Sequence, residues 1–297
     1  MNVKNICPDY DFEISAPSYV GYPQDNTVMY LTKKIESQLE YLKGHRNCLV
    51  FIENELVIPK GLDKENCFIS TATPAFEYAK IVQHLADDRK KNIMKKRYNI
   101  TSDLYYTGEN VSVGKGTIIE PGCFIGHDVI IGNNCTIMSG ARISDCVIED
   151  DVVIKQNAVI GSWGFAMTQD EQGNNMRIPC FGRVIIRHHV EIGALTSIYQ
   201  GVAGDTVIEE YVKLDDHVLV GHDAKIFRNC EIAGKGAVGA FSEIGEGTFI
   251  GINAITKNRI LVGEKCYLGM GCVCVRDVPP FSRMFGNPAK AMIVPKI

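Results

Sequence analysis

From about Val111 to Val275 the chain repeats one short phrase every six residues: a large aliphatic, a turn rich in Gly, Asn and Asp, then a compact residue two places before the next aliphatic. The aliphatic falls on Val113, Ile119, Ile125, Ile131, Ile137 and Ile143 in a first run. In a later run it falls without a break on Ile208, Leu214, Val220, Ile226, Ile232, Val238, Ile244, Ile250, Thr256, Val262, Leu268 and Cys274. Such a period matches neither a helix nor a plain alternating strand. It matches three short parallel strands per turn of a coil, each with one inward aliphatic and one small corner residue. The segment is therefore expected to stack into roughly eight coils.

This is the pattern of the hexapeptide left-handed parallel β-helix, a mainly β fold. The hand is that of the fold family, because parallel crossovers are otherwise right-handed. Residues 1–100 lack the repeat and read as a small α/β domain. Buried strands are expected at 47–53 and 66–71. An amphipathic helix opens at Thr73-Pro74, with Thr as cap, Pro in the first turn, and Ala79, Val82 and Leu85 on one face. The β-helix is expected over 101–278, ending at Val278-Pro279-Pro280 because proline cannot feed a central ladder. Residues 279–297 are then a C-terminal tail. The repeat lapses over 161–185, and an excursion this long in a compact scaffold is usually functional.

A net charge of −4 without basic, aromatic-interleaved clusters argues against nucleic acid as a partner. The longest apolar run, Cys266 to Val275, falls short of the roughly 18 residues of a membrane span. No apolar stretch follows a basic start, so no signal peptide is expected and the chain reads as soluble. Of eleven cysteines, Cys123, Cys135, Cys146, Cys230, Cys266 and Cys272 take the compact corner position and Cys274 the aliphatic one. They read as small hydrophobes inside a coil, which implies a reducing cytoplasm.

Five of the seven histidines lie in the repeat: His127, His188, His189, His217 and His222. A histidine at a turn is ordinarily a solvated corner. His222 stands out by its setting, LDDHVLVGHD, in which Asp215 is positioned to hold the second ring nitrogen. One coil of 18 residues beyond His222 is Ala240, whose backbone N–H is placed to meet an oxyanion formed beside the imidazole. A base, an orienter and a donor on one edge are what acyl transfer requires. Ser242, at an inward corner, is unsuited as a nucleophile. His217 and His222 also form an HxxxxH pair, spaced like zinc ligands of γ-class carbonic anhydrases, which leaves a zinc enzyme as an alternative. Trp163 and Phe165, in the excursion, are candidates for ligand contact and equally for lid or subunit packing.

From Ile160 onward the chain resembles the UDP-3-O-acylglucosamine N-acyltransferases of lipid A synthesis. The resemblance is carried by the excursion ending in RIPCFGRVII, the VEIGA rung and the Asp215/His222 pair. It extends into the first domain, where DNTVMYLTKK, NCLVFIENEL and ATPAFEYAKIVQHL follow the order of that family's nucleotide-binding domain. The resemblance implies a homotrimer that acylates the amine of a nucleotide-linked sugar. His222 would be the base, Asp215 its support and the Ala240 amide the oxyanion donor. Residues His217, Trp163, Phe165, Tyr199, Gln200 and Tyr30 would bind substrate, with no metal or tightly bound cofactor.

The chain departs from the family where Asp-Arg becomes Tyr199-Gln200. The uracil-clamping aromatics become Met29 and Ile35, leaving Tyr30, and a second histidine becomes Arg259. Its ending, RDVPPFSRMFGNPAK, resembles instead that of CoA-dependent acetyltransferases, in which Arg276, Arg283 and Lys290, with Arg259, would meet CoA phosphates. The resulting expectation is transfer of an acetyl or other short acyl group from acyl-CoA, as cosubstrate, to an amino sugar nucleotide. An acyl-carrier-protein donor and a non-catalytic scaffold are the further alternatives.

Overall fold

A computed structural model describes residues 1–291, and the chain divides into two compact units. The larger comprises Lys96–Gly164, Gly182–Gly201 and the chain from Asp205 on. It is the left-handed prism, built of three parallel sheets whose strands are mostly two residues long. The first face runs from Ser112–Val113 to Leu261–Val262, the second starts at Ile118–Ile119, and the third ends at Val273–Cys274. Coils stack in register at the repeat's step, with Leu219 opposite Ala237 and Val220 opposite Val238. The inward column, including Ile125, Ile137, Ile143, Ile154, Ile226 and Ile250, is fully buried. Corner hydroxyls close on the backbone of the neighbouring turn: Thr117 Oγ1 donates to Gly132 O at 2.7 Å and Ser242 Oγ to Lys257 O at 2.9 Å.

Strand pairing leaves one amide per corner, two residues after the aliphatic, without a ladder partner. A side chain at the same position of the next coil commonly accepts it. Asn133 Oδ1 takes the Lys115 N–H at 2.8 Å, Asp150 Oδ1 the Asn133 N–H at 2.7 Å, and Asp216 Oδ1 the Ala194 N–H at 2.7 Å. The following residue turns the corner with a positive φ, as at Asn110, Asp128, Asn134, Asn157, Asn229 and Asn253. Asn and Asp tolerate that conformation better than other residues with a side chain.

The edge joining the third face to the first carries both interruptions of the repeat. The first lies between the strands Val159–Ser162 and Val184–Ile186, the second between Ser197–Tyr199 and Thr206–Ile208. The middle of the first, Phe165–Phe181, and Val202–Gly204 group with Met1–Lys95 in the smaller unit. There Met167–Gln169 and Asn175–Arg177 pair as an antiparallel hairpin. The rest of that unit is a parallel sheet of β1 (Ala16–Pro17), β2 (Thr27–Leu31), β3 (Leu49–Glu53) and β4 (Cys67–Thr71), in that order, with α1 (Pro74–Ile93) packed on β2 and β3. Tyr78, Ala79 and Val82 are the buried residues of the α1 face. Pro74 opens α1, but Thr73 caps it through its carbonyl, which accepts from Phe76 and Glu77, and not through its hydroxyl.

Two expectations change. The prism continues past Val278: Arg283–Phe285 adds in parallel to Tyr267–Leu268, and Lys290–Ala291 returns antiparallel to it. Pro279 and Pro280 fall at a corner, where no ladder N–H is required of them. The excursion, expected as part of the β-helix, contributes its hairpin, Ile178 and Cys180 to the apolar core of the smaller unit.

All eleven cysteines are free thiols. Burial pushes Cys230 up to about 11 and Cys146 far above the ordinary thiol range. Neither thiol should react with iodoacetamide at pH 8 in the folded protein, and both should be labelled once it is denatured; mass spectrometry of the alkylated peptides checks this. Replacing the fully buried Ile154 by Ala should cost about 2–5 kcal/mol in denaturant unfolding.

Candidate active site

Three of the prism's histidines share the position two residues after an inward aliphatic, and the corner amides decide what each can do. His127 Nδ1 accepts the Glu109 N–H at 2.8 Å, and His188 Nδ1 accepts the Asp150 N–H at 3.2 Å. A neutral ring that accepts at Nδ1 carries its proton on Nε2 and has no lone pair there. The residue below His222 is Gln200, as the pairing of Ile198 with Val220 shows. The Gln200 N–H is diverted to Ser162 O at 3.0 Å. That diversion comes from the register shift between Ile160 and Ser162, at Gly161. A Cβ on Gly161, whose φ is +79°, would stand 1.7 Å from Ser144 O.

Released from the ladder, His222 Nδ1 pairs instead with Asp223 Oδ2 at 2.8 Å. The carboxylate accepts, so the proton sits on Nδ1 and Nε2 presents its lone pair, with no partner among the described residues. Asp223 is held in turn by its own N–H, which donates to Thr206 Oγ1 at 2.8 Å. Its side chain is 1% exposed and that of His222 9%. Carboxylate and imidazole are thus desolvated together, and each supplies the other's hydrogen bond. The sequence GHD occurs also at His127, yet there Asp128 turns to Lys96 and Asn110 while the ring packs at a tilt against Tyr98, 4.3 Å between centroids.

Around His222 the edge is tightly fitted. A Cβ on Gly164 would approach its Cβ and Cδ2 to 2.7 Å, so only glycine lets the chain pass the ring. The Phe241 ring meets the imidazole edge-on at 5.2 Å, and the Arg259 guanidinium lies 4.0 Å from the centre of the Phe241 ring. Phe241 and Arg259 both hold φ near +60°, as the corner residues Leu195, Tyr211, Lys235 and Lys265 also do.

Several expected members stand elsewhere. Asp215 does not hold His222: it lies on the edge between the second and third faces, where its Oδ2 accepts the Gly234 N–H at 2.9 Å. Seven residues cross the strand Leu219–Val220 and so change edges, whereas the adjacent Asp223 folds back at its left-handed turn. His217 is exposed on the same edge as Asp215, so the HxxxxH pair is split between two edges. No group of three His, Cys, Asp or Glu side chains converges among the described residues. Ala240 is one coil beyond His222, but its N–H already donates to Asn258 Oδ1 at 3.1 Å.

Trp163 is exposed on the edge of His222, and Tyr199, half-buried, pairs across from Ser162. Gln200 is 1% exposed, and its Oε1 has no hydrogen-bond partner among the described residues. Phe165, exposed, belongs to the smaller unit, with the Arg177 guanidinium 5.9 Å from its ring. Tyr30 packs on Tyr78 at 5.1 Å, Met29 is fully buried in the sheet, and Ile35 packs beside the unit's second core. The four cations expected at one phosphate site are divided. Arg259 and Arg276 lie on the edge of His222, whereas Arg283 and Lys290 lie on the second face, Arg283 5.7 Å from the Tyr267 ring. Asp223, Gly164, Phe241 and Asn258 were not singled out by sequence; the six-residue ruler could have flagged Asn258, two coils beyond His222.

Comparison with known proteins bears on this edge. A family profile described as the GMPPB C-terminal domain matches residues 107–164. The UDP-3-O-acylglucosamine N-acyltransferase of Rhizobium meliloti is 38% identical over 158 residues, covering 53% of this chain and 45% of that protein. That of Sinorhizobium fredii is 42% identical over 104 residues, covering 35% and 29%. The chain thus spans less than half the length of these relatives. Solved UDP-N-acetylglucosamine acyltransferases from Campylobacter jejuni and Bacteroides fragilis superpose with TM-scores of 0.57 and 0.58 at 21% and 24% identity. Each covers 65% of this chain, and the match spans 74% and 73% of theirs; at that identity the likeness is one of fold.

Nitrogen-15 shifts of the histidine rings check the tautomers. His222 should be protonated at Nδ1, and His127 at Nε2. In Gly164→Ala the His222 signals should move while those of His127 stay in place.

Proposed function

From its place among the hexapeptide-repeat acyltransferases, we propose that this protein transfers an acyl group from a thioester to the amine of a nucleotide-linked amino sugar. The observation that carries the reading is the buried His222–Asp223 pair, whose Nε2 lone pair is unclaimed among the described residues. In the proposed reaction the sugar amine attacks the thioester carbonyl carbon while His222 Nε2 takes one of its protons. Asp223 keeps the ring oriented and stabilises the imidazolium. As the tetrahedral intermediate collapses, the C–S bond breaks and the thiolate leaves as thiol with the proton returned from His222. The products are an amide and a free thiol, and no covalent enzyme intermediate is involved. A base placed in this way is worth roughly 10²–10⁴-fold.

The names of the curated relatives support UDP-3-O-acylglucosamine as the acceptor; in that reading the acyl chain would arrive on acyl carrier protein. A second reading, acetyl-CoA as donor, is favoured by Arg259 and Arg276, two cations on the edge of His222 that suit CoA phosphates. No helix among the described residues is long and apolar enough to cross a membrane. A homotrimer in a reducing, cytoplasmic setting completes the proposal. It is supported by the outward residues Leu219, Ala237, Ile255 and Val273, which form an apolar stripe along the third face, and by the free thiols.

Thiol release with acyl-carrier thioesters and with acetyl-CoA, each against a panel of amino sugar nucleotides, distinguishes the donors. His222→Ala should lower kcat by two decades or more without altering the oligomer, and Asp223→Asn should lower it by at least one. Near-normal turnover by His222→Ala would sink the assignment.

A further inference from the structure

We propose that Phe241 is a positioning residue for the acyl transfer: its ring holds the His222 imidazole at one angle, so that the unclaimed Nε2 lone pair points in a single direction. The inference rests on the acyl-transfer reading above. The hydrogen bond from Nδ1 to Asp223 Oδ2, at 2.8 Å, selects the tautomer. It does not by itself select the angle. A rocking of about 30° lies within what such a bond tolerates and carries Nε2, on the far side of the ring, through about 1 Å. A reacting atom misplaced by that much loses roughly 10²-fold in rate. Something besides Asp223 has to hold the ring.

The edge supplies two walls. The backbone at Gly164 passes so near His222 that a Cβ there would stand 2.7 Å from both Cβ and Cδ2. Phe241 is the other wall. Its ring stands at 84° to the imidazole with 5.2 Å between centroids, the perpendicular arrangement that aromatic pairs favour. Phe241 is itself fixed at both ends. Its N–H donates to His222 O at 3.0 Å, and the Arg259 guanidinium covers the ring, 4.0 Å from its centre. A cation over an aromatic face is attracted to it, and Arg259 enters no ion pair among the described residues that would draw it away.

Tyr211 shows what an aromatic does in the same place elsewhere. It too lies three residues after an inward aliphatic, and it too carries an arginine, Arg228, over its ring at 5.1 Å. Tyr211 lies nearly parallel on His189, the residue of its own column in the coil below, at 4.7 Å and 25°. The residue of that column below Phe241 is Asp223, which has turned onto Nδ1. Phe241 meets the preceding residue instead, and stands across the imidazole where Tyr211 lies flat. A phenyl ring has neither donor nor acceptor, so it walls the imidazole without competing for the Nε2 lone pair.

Three variants test the role. Phe241→Ala removes the wall, Phe241→Leu keeps apolar bulk without the flat ring, and Phe241→Tyr keeps the ring. With thiol release from acyl-carrier thioester or acetyl-CoA as the readout, Phe241→Ala should lower kcat about 10- to 100-fold with KM for the sugar nucleotide unchanged. Phe241→Leu should fall between it and wild type, and Phe241→Tyr should stay near wild type. Carbon-13 relaxation at Cδ2 and Cε1 of His222, read without substrate, reports the order of the ring. It should show a rigid imidazole in wild type and Phe241→Tyr and a loose one in Phe241→Ala. An unchanged kcat in Phe241→Ala overturns the proposal. So does a loss confined to KM, which would make Phe241 a substrate contact, or a fall in kcat with the imidazole as rigid as before. If Phe241→Ala does not fold, the same comparisons between Phe241→Leu and wild type decide. A wild type inert toward every donor counts against acyl transfer itself; the relaxation still judges the placement, and a loose imidazole in wild type overturns it.

Discussion

Everything about this prism depends on the hydrogen bonding of one coil to the next. The strands are mostly two residues long, and parallel pairing satisfies their own N–H and C=O groups. It does nothing for the amide that turns each corner. The side chains of Asn133, Asp150, Asp216 and His127 are drawn into that service, and a residue so engaged is no longer available for chemistry. A histidine that caps an amide through Nδ1 has its proton on Nε2 and cannot act there as a base. His222 differs because the amide beneath it, at Gln200, has been taken by Ser162 O. The pairing of His222 Nδ1 with Asp223 follows from one rerouted hydrogen bond.

Periodicity is one-dimensional information, and whatever is periodic was legible in the sequence. The inward residues, the cysteines as filling and the level of Ala240 relative to His222 all follow from counting in sixes. Turns that bend a side chain backward do not. Asp215 was the better-looking partner for His222, yet the neighbouring Asp223 carboxylate takes the ring, although Asp128 at the same φ turns away from His127. The closure of the Ala240 N–H by Asn258 joins residues eighteen apart through a side chain whose direction no spacing rule supplies. The grouping of Phe165–Phe181 with the first 95 residues is tertiary in origin as well, and so is the strand formed after two consecutive prolines.

The site accepts local costs that the rest of the prism has the means to carry. Phe241 and Arg259 sit in a backbone conformation that suits neither, and Asp223 is sealed from water with imidazole as its counterpart. Each cost is of the order of a core methylene or two, and the unbroken column of Ile and Val beneath them supplies many of those. A scaffold whose stability is distributed coil by coil can tolerate such strain at one level without unravelling at another.

A stack of identical coils has no address: any corner is equivalent to the one above it, and a substrate arriving at the edge would find nothing to choose. The slip at Gly161, where one coil fails to continue the pattern of its neighbour, works as a stacking fault works in a crystal. It breaks the translational symmetry at a single level and so makes that level chemically different from every other. Two copies of the same three-letter word, at His127 and His222, then come to have different meanings.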